Sequence, residues 1–229
     1  MKVRIKFAKY GVMKYIGHLD IMRYFQKCMR KADIDIAYSE GYSPHQIMSF
    51  ASPLGVGIES QGEYFDIELK SGDSKSVMNA LNEVMVPGME ILSVRKLDDG
   101  TKNAMASIAA ASYEVSVKED YDNDCRICDR VEDFLSREAI NIVKVTKTQE
   151  IEFDLKPHIF EFNYDGDIYR MTVDASSAGN IKPLMVIGEY VRFCGMECRE
   201  NIYQIKRMET YTRNSDGKLV SLESVGEEF

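Results

Sequence analysis

No run of eighteen apolar residues occurs anywhere in the 229 positions, so the sequence offers no helix able to span a bilayer. Nor does the sequence predict a secretory leader, because the first residues alternate charged and apolar side chains where a leader would carry a basic tip and then an apolar stretch. The sequence therefore predicts a cytoplasmic protein without membrane contact. Cysteine is scarce: five residues, an odd number at low density, predict free thiols and no disulfide framework. Tryptophan is absent, which excludes nothing, and there are only three histidines. Nor is there a glycine-rich phosphate loop, since Gly55-Val56-Gly57 lacks the helix and lysine that would follow it. No cofactor is expected.

What is present is a hydrophobic content of 45%, enough for two domains of roughly 100 residues each. The net charge of -8 hides an asymmetry. Lys2, Arg4, Lys6, Lys9, Lys14, Arg23, Lys27, Arg30 and Lys31 face only Asp20 within the first thirty-one residues. Residues 1–50 hold nine basic and four acidic side chains, which leaves 20 basic and 33 acidic for the remainder. That distribution suits a localised phosphate-binding patch on an acidic protein and not a sequence-blind coating of nucleic acid. A solvated helix face is the plainer account of any charge run.

The order of elements follows from hydrophobic periodicity. Val3, Ile5 and Phe7 alternate with Lys2, Arg4 and Lys6, a strand with one buried and one basic face. From Leu19 to Ala32, Ile21, Phe25, Cys28 and Ala32 keep helical spacing while Arg23, Lys27 and Lys31 stand four apart on another face. A short extended piece at Ile34–Tyr38, a strand at Glu63–Lys70, a helix capped by Ser74 and stopped at Pro87-Gly88, and a strand at Glu90–Leu97 complete the first hundred residues. That is the βαββαβ order of a ferredoxin-like domain. A comparable cycle follows: alternation at Tyr113–Val117, helical spacing at Ile127, Val131 and Leu135, alternation at Ile151–Leu155, a turn at Asp165-Gly166, helical spacing at Leu184, Ile187 and Val191, and a strand at Ile202–Met208. The expectation is an α+β protein of tandem ferredoxin-like domains with antiparallel sheets. Its domains would be 1–100, with the basic helix and a long flap at 39–62, and 111–212, followed by an acidic tail at 213–229.

The flap, Ser39 to Gly62, is far longer than the usual connection of roughly 4–6 residues, yet it carries Tyr42, Ile47, Met48, Phe50, Leu54, Val56 and Ile58. It should be ordered and packed on the domain. Two of the three histidines, His18 and His45, are expected to flank one cleft beside it. His18 at a helix start is a candidate general base, phosphate contact or metal ligand, with Asp20 beside it; a histidine that merely packs is the plain alternative. His18, Asp20 and His45 are the candidate catalytic set, and Lys14, Arg23, Lys27, Arg30, Lys31, Tyr38 and Tyr42 the candidate RNA contacts, cations for phosphates and tyrosines for unpaired bases. No metal is expected: the spacing of His18, Asp20 and His45 is not diagnostic and the basic surroundings disfavour a cation, while of the second candidate set, Cys125 and Cys128 with Cys194 and Cys198, the first two are better read as small core residues.

The segments Gly17-His18-Leu19-Asp20-Ile21-Met22-Arg23, Arg30-Lys31-Ala32, Tyr38-Ser39-Glu40-Gly41-Tyr42-Ser43-Pro44-His45, Pro53-Leu54-Gly55-Val56-Gly57-Ile58-Glu59-Ser60 and Gly62-Glu63-Tyr64 resemble the bacterial radical SAM-linked protein family. In the second half the match is confined to Asp154-Leu155-Lys156-Pro157. The resemblance implies a protein fused to or encoded beside a radical S-adenosylmethionine enzyme, in a setting of RNA processing. The three-cysteine spacing that binds a radical SAM cluster is absent, so this chain would be the helper. Three functions follow as expectations: an RNA-binding accessory protein presenting tRNA or rRNA to a radical SAM partner, a metal-independent endoribonuclease using His18 and His45, or a module that docks the partner protein through its basic face.

Overall fold

The alternation at the N-terminus folds as read. In the computed structural model, which describes residues 1–124, 130–145 and 150–229, the first strand is β1 (Lys2–Lys9). It is followed by α1 (His18–Lys31), β2 (Met48–Phe50), β3 (Glu59–Glu68), α2 (Ser74–Val84), β4 (Met89–Lys96) and the short α3 (Ala104–Ser107). Then come β5 (Ala110–Val117), α4 (Val131–Ser136), β6 (Asn141–Val145), β7 (Glu150–Asp154), β8 (Ile159–Asp165), β9 (Ile168–Asp174), α5 (Pro183–Phe193), β10 (Tyr203–Arg213) and β11 (Leu219–Ser221). The protein is thus α+β, with mostly antiparallel strands and five α-helices among the described residues. None of these helices is long and apolar enough to cross a membrane.

Two compact units divide the chain, residues 1–109 with 207–229, and residues 110–206. In the first, β4, β1 and β3 lie side by side, and β2 pairs antiparallel to β3 through Met48↔Ile67 and Phe50↔Phe65. The odd face of β1 meets the helices: Val3, Ile5 and Phe7 pack with Ile21, Phe25, Met29, Val77 and Leu81. Four phenylalanines centre this core, with Phe25 4.7 Å from Phe7 and 4.6 Å from Phe65, and Phe50 stacked 5.0 Å from Phe65. Such pairs add about 0.5–1.5 kcal/mol each beyond the area they bury. Asp73, not Ser74, caps α2, its carboxylate accepting from the Lys75 and Ser76 amides.

Two expectations change. The extended piece at Ile34–Tyr38 makes only isolated bridges, Ile36↔Leu69 and Tyr38↔Gln46, and the strand beside β3 is β2, inside the expected flap. The acidic tail is also replaced: residues 207–229 supply the rest of β10, β11 and a closing turn to the first unit. The physical reason is charge, since Glu209 and Glu223 of this segment meet Lys6 of β1. Gly62 permits the approach of β10, because a Cβ there would lie 2.5 Å from the Glu209 Cα.

In the second unit β9 pairs antiparallel with β5 on one side and β8 on the other, and the start of β10 flanks β5. β6 and β7 form a separate hairpin. Phe134 of α4, Phe162 of β8 and Tyr190 of α5 meet at centroid distances of 5.3–6.1 Å in its core. Cys125 and Cys128 lie outside the described residues; Cys28 and Cys198 are free thiols.

Candidate nucleic-acid interface and a buried polar pocket

Lys2 is exposed at the start of β1, but the rest of its basic face is covered. Arg4 is 1% exposed and makes two hydrogen bonds to the Asp66 carboxylate at 2.8 and 3.0 Å, with the Leu222 and Lys102 carbonyls accepting two more. Asp66 also accepts from the Ala104 amide at 2.7 Å. Lys6 lies 2.7 Å from Glu209 and 3.1 Å from Glu223. Burial pulls the Lys6 pKa down, but hydrogen bonds and charge from Glu209 and Glu223 outweigh it, so the ammonium is held charged. Tyr64 donates to Glu209 at 2.6 Å, and burial together with that carboxylate drives its phenol far above the ordinary range. Lys14 pairs with Glu59 at 3.2 Å.

The cations of α1 are arranged otherwise. Arg23, Lys27, Arg30 and Lys31 are all exposed, and helical spacing puts 23, 27 and 30/31 on one ridge. Arg23 touches Asp20 at 3.3 Å, a surface pair worth little; among the described residues no carboxylate pairs with Lys27, Arg30 or Lys31. Beneath this ridge Ile21, Phe25, Cys28 and Met29 face the core, and burial raises the Cys28 pKa, leaving an inert thiol. Tyr38 and Tyr42 are exposed, Tyr42 fully so.

His18 and His45 are not brought together. The His18 ring stands edge-on to Phe50 at 5.7 Å and lines a small cavity with Phe7, Lys9, Ile21, Phe50, Ser52, Leu54 and Glu63. His45 is exposed, its Nδ1 2.8 Å from the Ser39 hydroxyl, and it lines a different cavity with Lys2, Ser49, Asp66 and Thr101. The register of β2 explains the separation: Phe50 faces the helices, and Ser49 faces the other side. Asp20 points outward to Arg23. Among the described residues no three His, Cys, Asp or Glu side chains gather as metal ligands would.

Sequence reasoning missed the cavity's charged floor. Lys9 is 2% exposed, Glu63 6% and Arg207 6%. Arg207 donates to Glu63 at 2.8 Å and Ser60 donates to the same oxygen at 2.9 Å, while among the described residues the Lys9 ammonium reaches only the Ile16 carbonyl at 3.4 Å. Burial lowers the Lys9 pKa, and Glu63 offsets this only in part. One signal was legible: Lys9 falls among the apolar residues Phe7 and Ala8, outside the Lys2, Arg4, Lys6 alternation. The third histidine was passed over as well. His158 lies 2.8 Å from Asp174 and stacks on Phe153 at 4.8 Å. Burial pushes the Asp174 pKa up, but hydrogen bonds from Ser176 and His158 prevail and hold the carboxyl below its ordinary range.

No curated protein matches the chain. The family described as "Uncharacterized protein conserved in bacteria (DUF2344)" matches residues 2–183, and the chain belongs to that family.

Proposed function

We propose that this member of the bacterial DUF2344 family is an RNA-binding accessory protein, one that holds tRNA or rRNA by its phosphate backbone along α1 and presents it to a partner radical SAM enzyme. The exposed ridge Arg23, Lys27, Arg30, Lys31 carries the reading, because Arg4, Lys6 and Lys14 are paired with carboxylates and Lys9 is buried, while these four lie together on one helix face open to solvent. Cations at i and i+4 stand about 5–6 Å apart, a spacing suited to successive phosphates of one strand. Exposed Tyr38 and Tyr42 are suited to stacking on unpaired bases. The radical SAM partner rests on the resemblance of the Gly17–Arg23 and Pro53–Tyr64 segments.

The order β4-β1-β3-β2 in one unit and β10-β5-β9-β8 in the other, each with helices after its first and third strands, supports reading both as ferredoxin-like, the second with the β6–β7 hairpin inserted. The separate cavities of His18 and His45 weigh against a ribonuclease that uses them as an acid–base pair. The test is binding of purified tRNA and rRNA at low and physiological salt, wild type against R23E/K27E. Loss of at least tenfold in affinity in the double variant, with an unchanged melting curve, is the expected result. Absence of RNA binding by the wild type sinks the reading and moves the ridge to an acidic surface of the partner protein.

A further inference from the structure

The polar pocket at the amino end of α1 contains one more positive charge than its own carboxylate answers. Glu63 is engaged by Arg207 and Ser60, and Lys9, with three protons to donate, has among the described residues a single long bond to the Ile16 carbonyl. A lysine this buried ordinarily has a counter-charge or several acceptors, because an ammonium withdrawn from water without them is strongly disfavoured. The cavity that Lys9 lines is real but small, about 20 Å³, room for one oxygen-sized group. Its walls are Phe7, Ile21, Phe50 and Leu54; the lining groups able to accept are the Ser52 hydroxyl and Glu63, and among the described residues Lys9 bonds to neither. Its rim is His18, the first residue of α1, whose N-cap Gly17 provides no side-chain oxygen to the free amides of the first turn. The fourteen-residue helix adds its own positive end there.

We propose that this pocket is a binding site for the oxyanion end of a ligand, a phosphate or a carboxylate, with one oxygen received by Lys9 and His18 at the rim contacting the rest of the group. The volume sets the mode: a single oxygen enters, and the body of the ligand stays outside, beside exposed Leu19 and Val56, which follow the pocket residues His18 and Leu54 in the chain. The charge sets the class. One negative charge balances Lys9, so a carboxylate satisfies the pocket alone, whereas a phosphate also presents oxygens to His18 at the rim. Glu63 remains the partner of Arg207. The site is independent of the RNA ridge, which runs along the exposed face of the same helix.

The experiment is titration of the isotope-labelled full chain with inorganic phosphate and, separately, with acetate, at constant ionic strength held by chloride, following the backbone amides of residues 17–21. Saturable shifts with either anion are expected, abolished in Lys9→Met and at least tenfold weaker in His18→Ala. Saturation by phosphate and not acetate identifies a phosphate ligand, and the reverse a carboxylate. No saturable shift with either, or the same shifts in both variants, overturns the proposal. Should Lys9→Met fail to fold, His18→Ala decides by the same criterion, since its side chain is only half-buried.

Discussion

β1 and α1 are the two most basic elements of the first unit, and in sequence they look alike: cations at regular intervals beside an apolar stripe. Their fates differ completely. Arg4 and Lys6 are each met by carboxylates from distant parts of the chain, Asp66 on β3 and Glu209 and Glu223 on the returning C-terminal segment. Lys27, Arg30 and Lys31 meet none among the described residues. The lesson is that a cation's contribution to surface potential depends on what folds over it. A strand inside a sheet has two faces that must be covered or solvated, and here the polar face is covered at Arg4 and Lys6; the outer ridge of a helix lying on a sheet has no second layer above it.

Removing a partner on the covered side should have the largest effect. Asp66→Ala leaves Arg4 buried and unpaired and orphans the Ala104 amide, so urea unfolding should show a loss of about 3–5 kcal/mol; a loss below 1 kcal/mol would mean that water reaches Arg4 and the two faces are less different than described. Acid should act on the same side next. Burial pushes the Glu223 pKa up, but Lys6 and Arg95 prevail and hold it below its ordinary value. A carboxylate depressed in the folded state contributes stability above its unfolded pKa of about 4.3 and loses it as pH falls through the folded pKa. Melting temperature should therefore fall on acidification below about pH 4, and the fall should be shallower in Glu223→Gln. On the open side the effect on stability should be smallest. Lys27→Ala is expected to change folding free energy by less than about 0.5 kcal/mol, while the dependence of RNA affinity on salt flattens by about 0.7 in log–log slope.

The elements themselves were largely legible. The alternation of Val3, Ile5 and Phe7 and the 3–4 spacing of Ile21, Phe25 and Cys28 reflect which side chains face a core, and one local pattern suffices for that. What local patterns could not carry is pairing between residues far apart in sequence. Arg4 and Leu222 are 218 positions apart, and nothing near either of them announces the other. The C-terminal segment reads as a solvated tail because its glutamates have no cations nearby in sequence; their partners, Lys6 and Arg95, lie in the first unit. The shared cleft of His18 and His45 failed for a related reason. Proximity was inferred from the loop that joins them, but the register of three residues, Met48 to Phe50, decides which face of the sheet each one serves. Lys9 could have been found, since a lone cation beside Phe7 at the end of an apolar stripe is either an error in the strand or a functional charge.

The return of residues 207–229 to the first unit also sets a timetable for biosynthesis. At roughly 5–20 residues per second, a ribosome adds residue 207 about 10–40 s after residue 1. Through that interval β1 exists without Glu209, Leu222 or Glu223 to close over Arg4 and Lys6. The contiguous unit 110–206 is fully translated first, although it comes second in the gene, and the nascent N-terminal segment must wait with its polar strand face exposed. A polypeptide released before its last strand would have one finished unit and one unfinished unit, a state that quality-control proteases recognise.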